Sequence, residues 1–247
     1  MCSDHKKVDT RKGKLYGIGI GPGDPGLLTI KAKEILDEVD IIFVPKSEDD
    51  GKSCARSIIE RALSGKKDFT ELTFPMTRNK KTLKAYWKKA AGKIAGEVRG
   101  NKNAAFVTIG DPFIFSTYIY LSKTLRQDFP DVDIETIPGI SSFNAASSRL
   151  ELPLVEGNER LAILPVPKDL KGLRATLKSF DTVILMKVAS KLDKVIRLLK
   201  EVKLIKNSAL ITHAGHPNEA IIRDLSSIKD KKLGYLSVII VKRKNRS

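Results

Sequence analysis

Short apolar runs alternate along this chain with amphipathic stretches, and the alternation predicts its elements. Leu15–Ile20 reads as a first strand, and Leu27–Val39 as a helix with Leu28, Ile30, Ala32, Ile35, Leu36 and Val39 at its apolar positions. Ile41–Val44 reads as a second buried strand that Pro45 stops, because proline has no N–H for a ladder. Ser53–Leu63 follows as a helix, with Ser53 at its N-cap and Gly65 past its end. Asp68–Phe74 is a short strand, and Thr77–Val98 a long lysine-rich helix striped by Leu83, Trp87, Ile94 and Val98. Ala104–Ile109 is the next strand and Ile114–Leu125 the next helix. The stretch Asp128–Asp133 has no helical pattern and reads as a linker. Beyond it, strands are expected at Ile134–Ile137, Leu161–Pro165, Thr182–Met186, Ser208–Thr212 and Leu236–Val241. Helices are expected at Ser141–Leu150, Leu170–Lys178 and Lys191–Val202. Buried strands and helices on both sides of the linker predict an α/β protein of two α/β domains, residues 1–127 and 128–247.

The 247 residues, 41% hydrophobic, suffice for one large or two small domains. No apolar run approaches the roughly 18 residues of a membrane span. Asp4–Lys14 is charged and polar, without the apolar core of a signal peptide, so a cytoplasmic protein with no membrane partner is expected. Cys2, on an expected loose end, and Cys54 are too few for a disulfide framework. No Cys/His cluster has metal-ligand spacing, and no protein-bound metal is expected.

Charge changes the picture more. There are 45 Lys+Arg against 29 Asp+Glu, a formal net charge of +16. Nucleic acid, a polyanionic small substrate and plain solvated lysine faces all fit that total. The lysines are scattered, as at Lys80-Lys81, Lys88-Lys89 and Lys231-Lys232, and the one dense run is Lys242-Arg243-Lys244 with Arg246. Aromatic residues are not interleaved with them, which argues against a nucleic-acid partner.

Three strand–turn–helix bends carry the chemistry. In Thr108–Thr117 a strand ends, Gly110 and Pro112 turn the chain, and Ser116 and Thr117 add hydroxyls. Open α/β sheets bind small ligands at such carboxyl ends. In Gly17–Asp24, Gly21 to Gly26 formally matches G-x-G-x-x-G. A pyrophosphate needs free amides there, but Pro22 and Pro25 each remove one and Asp24 adds a negative charge. NAD and ATP are therefore rejected; a cationic or neutral ligand, or a purely structural turn, fits better. Asp111 can cap its turn, orient a ligand or act as a base. In Pro138–Ser142, Ser141 is either a plain N-cap or a ligand contact. Met186 at a strand end is core filler or contact, and Lys187 is solvated or an anion contact. His213 and His216 lack further metal ligands and are assigned a loop role. Trp87 and Phe113 are expected in the core.

Taken together these motifs resemble the tetrapyrrole (corrin/porphyrin) methyltransferases. Gly19-Ile-Gly-Pro-Gly-Asp24 with Leu27-Leu-Thr-Ile-Lys-Ala32 is similar to that family's N-terminal signature, and Thr108–Thr117 to its second. Pro138–Phe143, Met186 and the closing Tyr235–Val238 segment fit in order, so the resemblance spans Lys14 to Arg243. Pro138–Ala146, Arg149–Leu154 and Glu159–Pro165 look most like the precorrin-2 C20-methyltransferases. The resemblance implies two α/β domains with a ligand trough between them, and usually a homodimer. It implies methyl transfer from S-adenosylmethionine, leaving S-adenosylhomocysteine, to C20 of precorrin-2 or cobalt-precorrin-2 in cobalamin synthesis. That substrate carries eight carboxylates, which a basic chain suits. By position, the cofactor contacts fall on Ile109, Gly110, Asp111 and Ile114, and on Ser141, Ser142, Met186 and Ala214. Pro22, Gly23 and Asp24, with Lys46, are placed at the tetrapyrrole, and Asp24 or Asp111 is the base, if one is needed. Thr212–Pro217 departs from the family's form around Ala214. The alternatives are another corrin-ring methyltransferase of the pathway, or an RNA 2′-O-methyltransferase of the same fold.

Overall fold

The computed structural model describes residues 12–47, 53–77, 79–167, 169–228 and 236–243. Cys2, Lys231-Lys232, Tyr235, Lys244 and Arg246 lie outside them. Contacts divide the chain into two compact units, residues 1–21 with 25–140, and residues 22–24 with 141–247.

The first unit holds β1 (Lys14–Gly19), α1 (Ile30–Glu38), β2 (Ile41–Lys46), α2 (Cys54–Glu60), β3 (Phe69–Thr73), α3 (Lys80–Arg99), β4 (Ala104–Thr108), α4 (Tyr118–Asp128) and β5 (Asp133–Ile137). Its sheet runs β3-β2-β4-β1-β5, and every pairing is parallel. A parallel sheet is covered on both faces, so its central strands are largely apolar, and β4 is buried at every residue. Successive side chains of β4 go to opposite faces. Phe106 joins Leu15, Phe43, Ile94 and Leu121 on one side. Ala105 and Val107 join Ile18, Ile42, Leu36 and Ile58 on the other. Side-chain caps start the helices: Ala32 N–H donates to Thr29 Oγ1 (3.2 Å), and Lys81 and Thr82 N–H donate to Asn79 Oδ1 (3.0 and 3.2 Å).

The second unit holds α5 (Ser142–Leu150), β6 (Leu161–Pro165), α6 (Lys171–Ser179), β7 (Thr182–Met186), α7 (Leu192–Glu201), β8 (Ser208–Thr212), β9 (Ala220–Ile222) and β10 (Ser237–Lys242). Its sheet is mixed, in the order β6-β7-β10-β8-β9. β6 and β7 are parallel, while β10 runs antiparallel to both β7 and β8. Helices α6 and α7 cover one face through Leu173, Leu177, Val195 and Leu199.

The α/β expectation holds, with several corrections of detail. Asp128–Asp133 lies inside the first unit: Val132 is buried in its core, and β5 is the sheet's edge strand beside β1. The contacts divide after Ile140 instead. Pro45 does not stop β2; it pairs with Leu72. Ile42 N–H donates to Asp68 on the β3 side, so the alternation of the strand turns Pro45 N toward β4, where pairing has already ended at Phe43. No ladder bond is lost there. The buried face of α3 is made largely by Ala90, Ala91 and Ala95 beside Ile94 and Val98, and an apolar count that favours large residues overlooks them. Trp87 is half-buried, stacked on Tyr120 with centroids 4.5 Å apart. Phe113 is 57% exposed rather than core. α4 begins only at Tyr118, because Phe115 has a φ of 53° and breaks the helical path before it.

Tyr118 is fully buried, and its hydroxyl lies 2.6 Å from Thr136 Oγ1. Its ring fills the space a side chain at position 17 would need, since a Cβ on Gly17 would lie 2.1 Å from it. Burial raises the phenol above its ordinary value of 10.0, against a smaller opposite pull from Thr136. A raised folded-state value contributes stability that is present below about pH 10 and lost as pH climbs through the folded value. Tyr118→Phe removes one hydrogen bond and should cost about 0.5–1.5 kcal/mol by urea unfolding at pH 7. The wild type should lose stability more steeply than this variant above pH 10; parallel curves would contradict that.

Candidate functional site

In the first unit the chain leaves three adjacent parallel strands, β4, β1 and β5, by sharp turns that meet backbone to backbone. Gly110, with a φ of 75°, donates its N–H to Gly21 O (2.8 Å), making an isolated bridge between the first and second bends. A Cβ on Gly19 would lie 2.6 Å from Gly110 O and 2.7 Å from Gly139 N, and one on Gly139 would lie 2.3 Å from Gly110 O. Only hydrogen fits at either position.

Asp111 fastens this arrangement. Its Oδ1 accepts the N–H of Phe113 (2.9 Å), closing its own turn, and its Oδ2 accepts the N–H of Gly139 (3.2 Å), tying the second bend to the third. Of the roles read for it in sequence, turn stabilisation is the one with visible partners. Ile109 packs half-buried against the core on the α1/α2 side, and Ile114 N–H donates to Asp111 O (3.3 Å). Ile109, Gly110, Asp111 and Ile114 therefore form one continuous turn. Lys46 pairs with Glu71 on β3, Nζ to Oε2 3.0 Å, so its ammonium already has a carboxylate.

In the second unit, Met186 ends β7 and pairs with Val238, while Thr212 ends β8 and pairs with Ser237. The antiparallel β10 thus places Met186 and the 213–217 loop at one end of the strands, on either side of its own first residues. Ala214, in that loop, is 6% exposed. Ser141 occupies the N-cap position of α5 and is buried, yet its hydroxyl makes no capping bond. Ser141 is thus the N-cap by position but without a side-chain bond, and Ser142 opens the helix behind it.

Pro22, Gly23 and Asp24 group with this second unit. A Cβ on Gly23 would lie 2.1 Å from the His216 ring, and one on Gly215 would lie 2.9 Å from Asp24 N. The 213–217 segment, unlike the family form in sequence, is therefore the surface on which Pro22–Asp24 rests. His213 and His216 rings meet edge to face at 6.2 Å. Among the described residues no group of three or more His, Cys, Asp or Glu is placed to hold a metal. Sequence reasoning missed Glu219 and Arg149, which back this loop; they are seventy residues apart, and no spacing joins them.

Residues 14–228 match the family described as tetrapyrrole (corrin/porphyrin) methylases. The chain belongs to that family. It is 40% identical to a probable cobalt-precorrin-2 C(20)-methyltransferase of Methanocaldococcus jannaschii, over 94% of this chain and 97% of that protein. It is 32% identical to the cobalt-precorrin-2 C(20)-methyltransferase of Salmonella typhimurium, over 93% and 96%. Among solved structures, a cobalt-precorrin-4 methyltransferase superposes with a TM-score of 0.71 at 20% identity, covering 93% of this chain and 94% of that one. A uroporphyrin-III C-methyltransferase of Thermus thermophilus, complexed with S-adenyl homocysteine, does so at 0.65 and 18%, covering 93% and 97%. These two establish the shared fold. No helix among the described residues is long and apolar enough to cross a membrane.

The meeting of the three bends is testable. Gly139→Ala should cost about 1–3 kcal/mol or more in urea unfolding, because the clash is with backbone rather than a movable side chain. Gly96→Ala in α3, where nothing lies within 4 Å of the new Cβ, should instead stabilise by about 0.5–1 kcal/mol. Equal effects would show that the bends have room to separate.

Proposed function

We propose that this protein transfers a methyl group from S-adenosylmethionine to C20 of precorrin-2 or its cobalt complex, in cobalamin biosynthesis. The observation that carries the reading is the 40% identity, over nearly the full length of both chains, to a probable cobalt-precorrin-2 C(20)-methyltransferase. The residues fit the cofactor's chemistry. None of the three bends, 17–28, 108–117 and 138–143, contains a lysine or arginine, and Pro22, Pro25 and Pro112 remove amide donors. Such loops suit an adenosine bearing a sulfonium and not a polyphosphate. Ser141, buried and without a capping bond, keeps a hydroxyl for a ligand's polar edge.

On this reading Ile109, Gly110, Asp111 and Ile114 contact the cofactor from the first unit, and Ser141, Ser142, Met186 and Ala214 from the second. S-adenosylmethionine, when bound, supplies a methyl activated by its sulfonium. The chain supplies orientation: Asp111 holds the Gly110 turn rigid through its two amide bonds, so backbone contacts need no rearrangement during the reaction. Alignment of donor and acceptor is worth roughly 7–11 kcal/mol in favourable cases. Pro22, Gly23 and Asp24 face the tetrapyrrole. On this reading Asp24, Asp111 or water removes the C20 proton. Lys46, paired with Glu71, reaches a substrate carboxylate only by exchanging partners. The reading extends to a homodimer working in the cytoplasm, and sedimentation of the purified protein checks the first part.

The deciding experiment incubates the protein with labelled S-adenosylmethionine and precorrin-2, with and without cobalt. Mass spectrometry and NMR should find one added methyl, at C20. A methyl on another corrin carbon, or none with either substrate form, would reject the assignment. Asp24→Asn should lower turnover about tenfold or more while leaving S-adenosylhomocysteine affinity within twofold by calorimetry. Unchanged turnover would give the proton to Asp111 or to water.

A further inference from the structure

The loop after β8 is held from behind. Gly215 N–H donates to Glu219 Oε2 (2.7 Å), and Glu219 Oε1 lies 3.3 Å from Arg149 Nε in the last turn of α5. The Glu219 side chain is only 19% exposed, so both partners meet a carboxylate partly withdrawn from water. The loop needs holding, because His213 and Gly215 both have positive φ, 52° and 79°. Within it His216 N–H donates to His213 O (2.8 Å), and Glu219 N–H donates back to His216 O (3.0 Å). The carboxylate and the amide of Glu219 thus hold two adjacent residues of the loop, Gly215 and His216. The other side of the loop carries Gly23 against the His216 ring and Asp24 N against Gly215.

We propose that Glu219, braced by Arg149, is a positioning residue that fixes the 213–216 loop and, through it, sets Ala214 and the Pro22–Asp24 segment at the same time. The proposal rests on the function read above. There, Ala214 serves the methyl donor and Pro22–Asp24 the acceptor, so one carboxylate governs the placement of contacts to both. Arg149 belongs to the helix that begins at Ser142, next to Ser141. The same brace therefore ties the loop to the helix that starts at Ser141 and Ser142, two more of the unit's assigned cofactor contacts. Glu219 touches neither reacting molecule; it acts through Gly215.

The requirement is for an acceptor at the Gly215 amide, with the charge of Glu219 secondary. Glu219→Ala should weaken S-adenosylhomocysteine binding about tenfold by calorimetry, the scale of one lost charge-assisted hydrogen bond. It should raise the KM for tetrapyrrole by a similar factor, and speed amide exchange at residues 213–216 at least tenfold. Glu219→Gln keeps an acceptor and should stay within about threefold of wild type in all three. Exchange in β7, β8 and β10 should not change. Glu219→Ala matching wild type in binding and exchange would overturn the proposal. So would Glu219→Gln as impaired as Glu219→Ala, or faster exchange across the whole unit, which would mark a general stabilising role. If the wild type binds no S-adenosylhomocysteine, the functional reading fails, and the link to ligands with it. Exchange at Gly215 would still report whether Glu219 fixes the loop.

Discussion

The contact on which the rest of the first unit depends is backbone against backbone, where Gly19, Gly110 and Gly139 meet at the carboxyl ends of β1, β4 and β5. Parallel strands sit about 4.8 Å apart, and loops leaving them ordinarily diverge to make room for side chains. Here the loops cross at a distance that excludes even a methyl group. That closeness brings the Gly139 amide within reach of Asp111 and the Gly110 amide within reach of Gly21. The glycine-rich match after β1, Gly21 to Gly26, has structural grounds of its own: Gly21 takes a φ of 74°, and Gly23 leaves room for the His216 ring. Within β1 itself, Gly17 admits the Tyr118 ring and Gly19 the neighbouring backbone.

This explains what the sequence could and could not reveal. Leu161–Pro165, Thr182–Met186 and Ser208–Thr212 are strands at the limits their apolar runs suggest, because a short apolar run bounded by polar residues has few other solutions. The strand β9 escaped notice because it has three residues, lies at the sheet edge and is largely exposed. Pro45 misled because its effect depends on which neighbour its nitrogen faces, a property of sheet order. The stretch Asp128–Asp133 misled because polar composition looks alike in a linker and in a tight turn feeding an edge strand. The turn containing Asp111 was legible as a turn; the second of its amide partners was not, since it is contributed by residue 139.

The second unit uses a mixed sheet to similar effect. Inserting β10 antiparallel between β7 and β8 leaves those two strands pointing the same way, with their ends registered against Val238 and Ser237. Met186 and the 213–217 loop are then neighbours across one strand, although about thirty residues apart in sequence. Helix α5 lies against β10 and contributes Ser141 and Ser142 at its start and Arg149 at its end. Position in such a unit follows from register, which is why sequence motifs alone gave Ala214 no visible support.

The distribution of charge adds a final constraint. The chain carries sixteen more cations than anions, yet the three bends contain none of the cations and two of the acids, Asp24 and Asp111. Burial of residues 17–23 and the backbone packing at Gly110 and Gly139 leave little room for lysine or arginine in the bends. A sulfonium is repelled by nearby ammonium groups at unscreened range and tolerates carboxylates, whereas a macrocycle with several carboxylates gains from a positive surround that steers it in. On the proposed function those opposite demands belong to the two halves of one reaction. A chain that keeps lysine and arginine out of its bends and abundant elsewhere meets both without placing like charges at the transferring methyl.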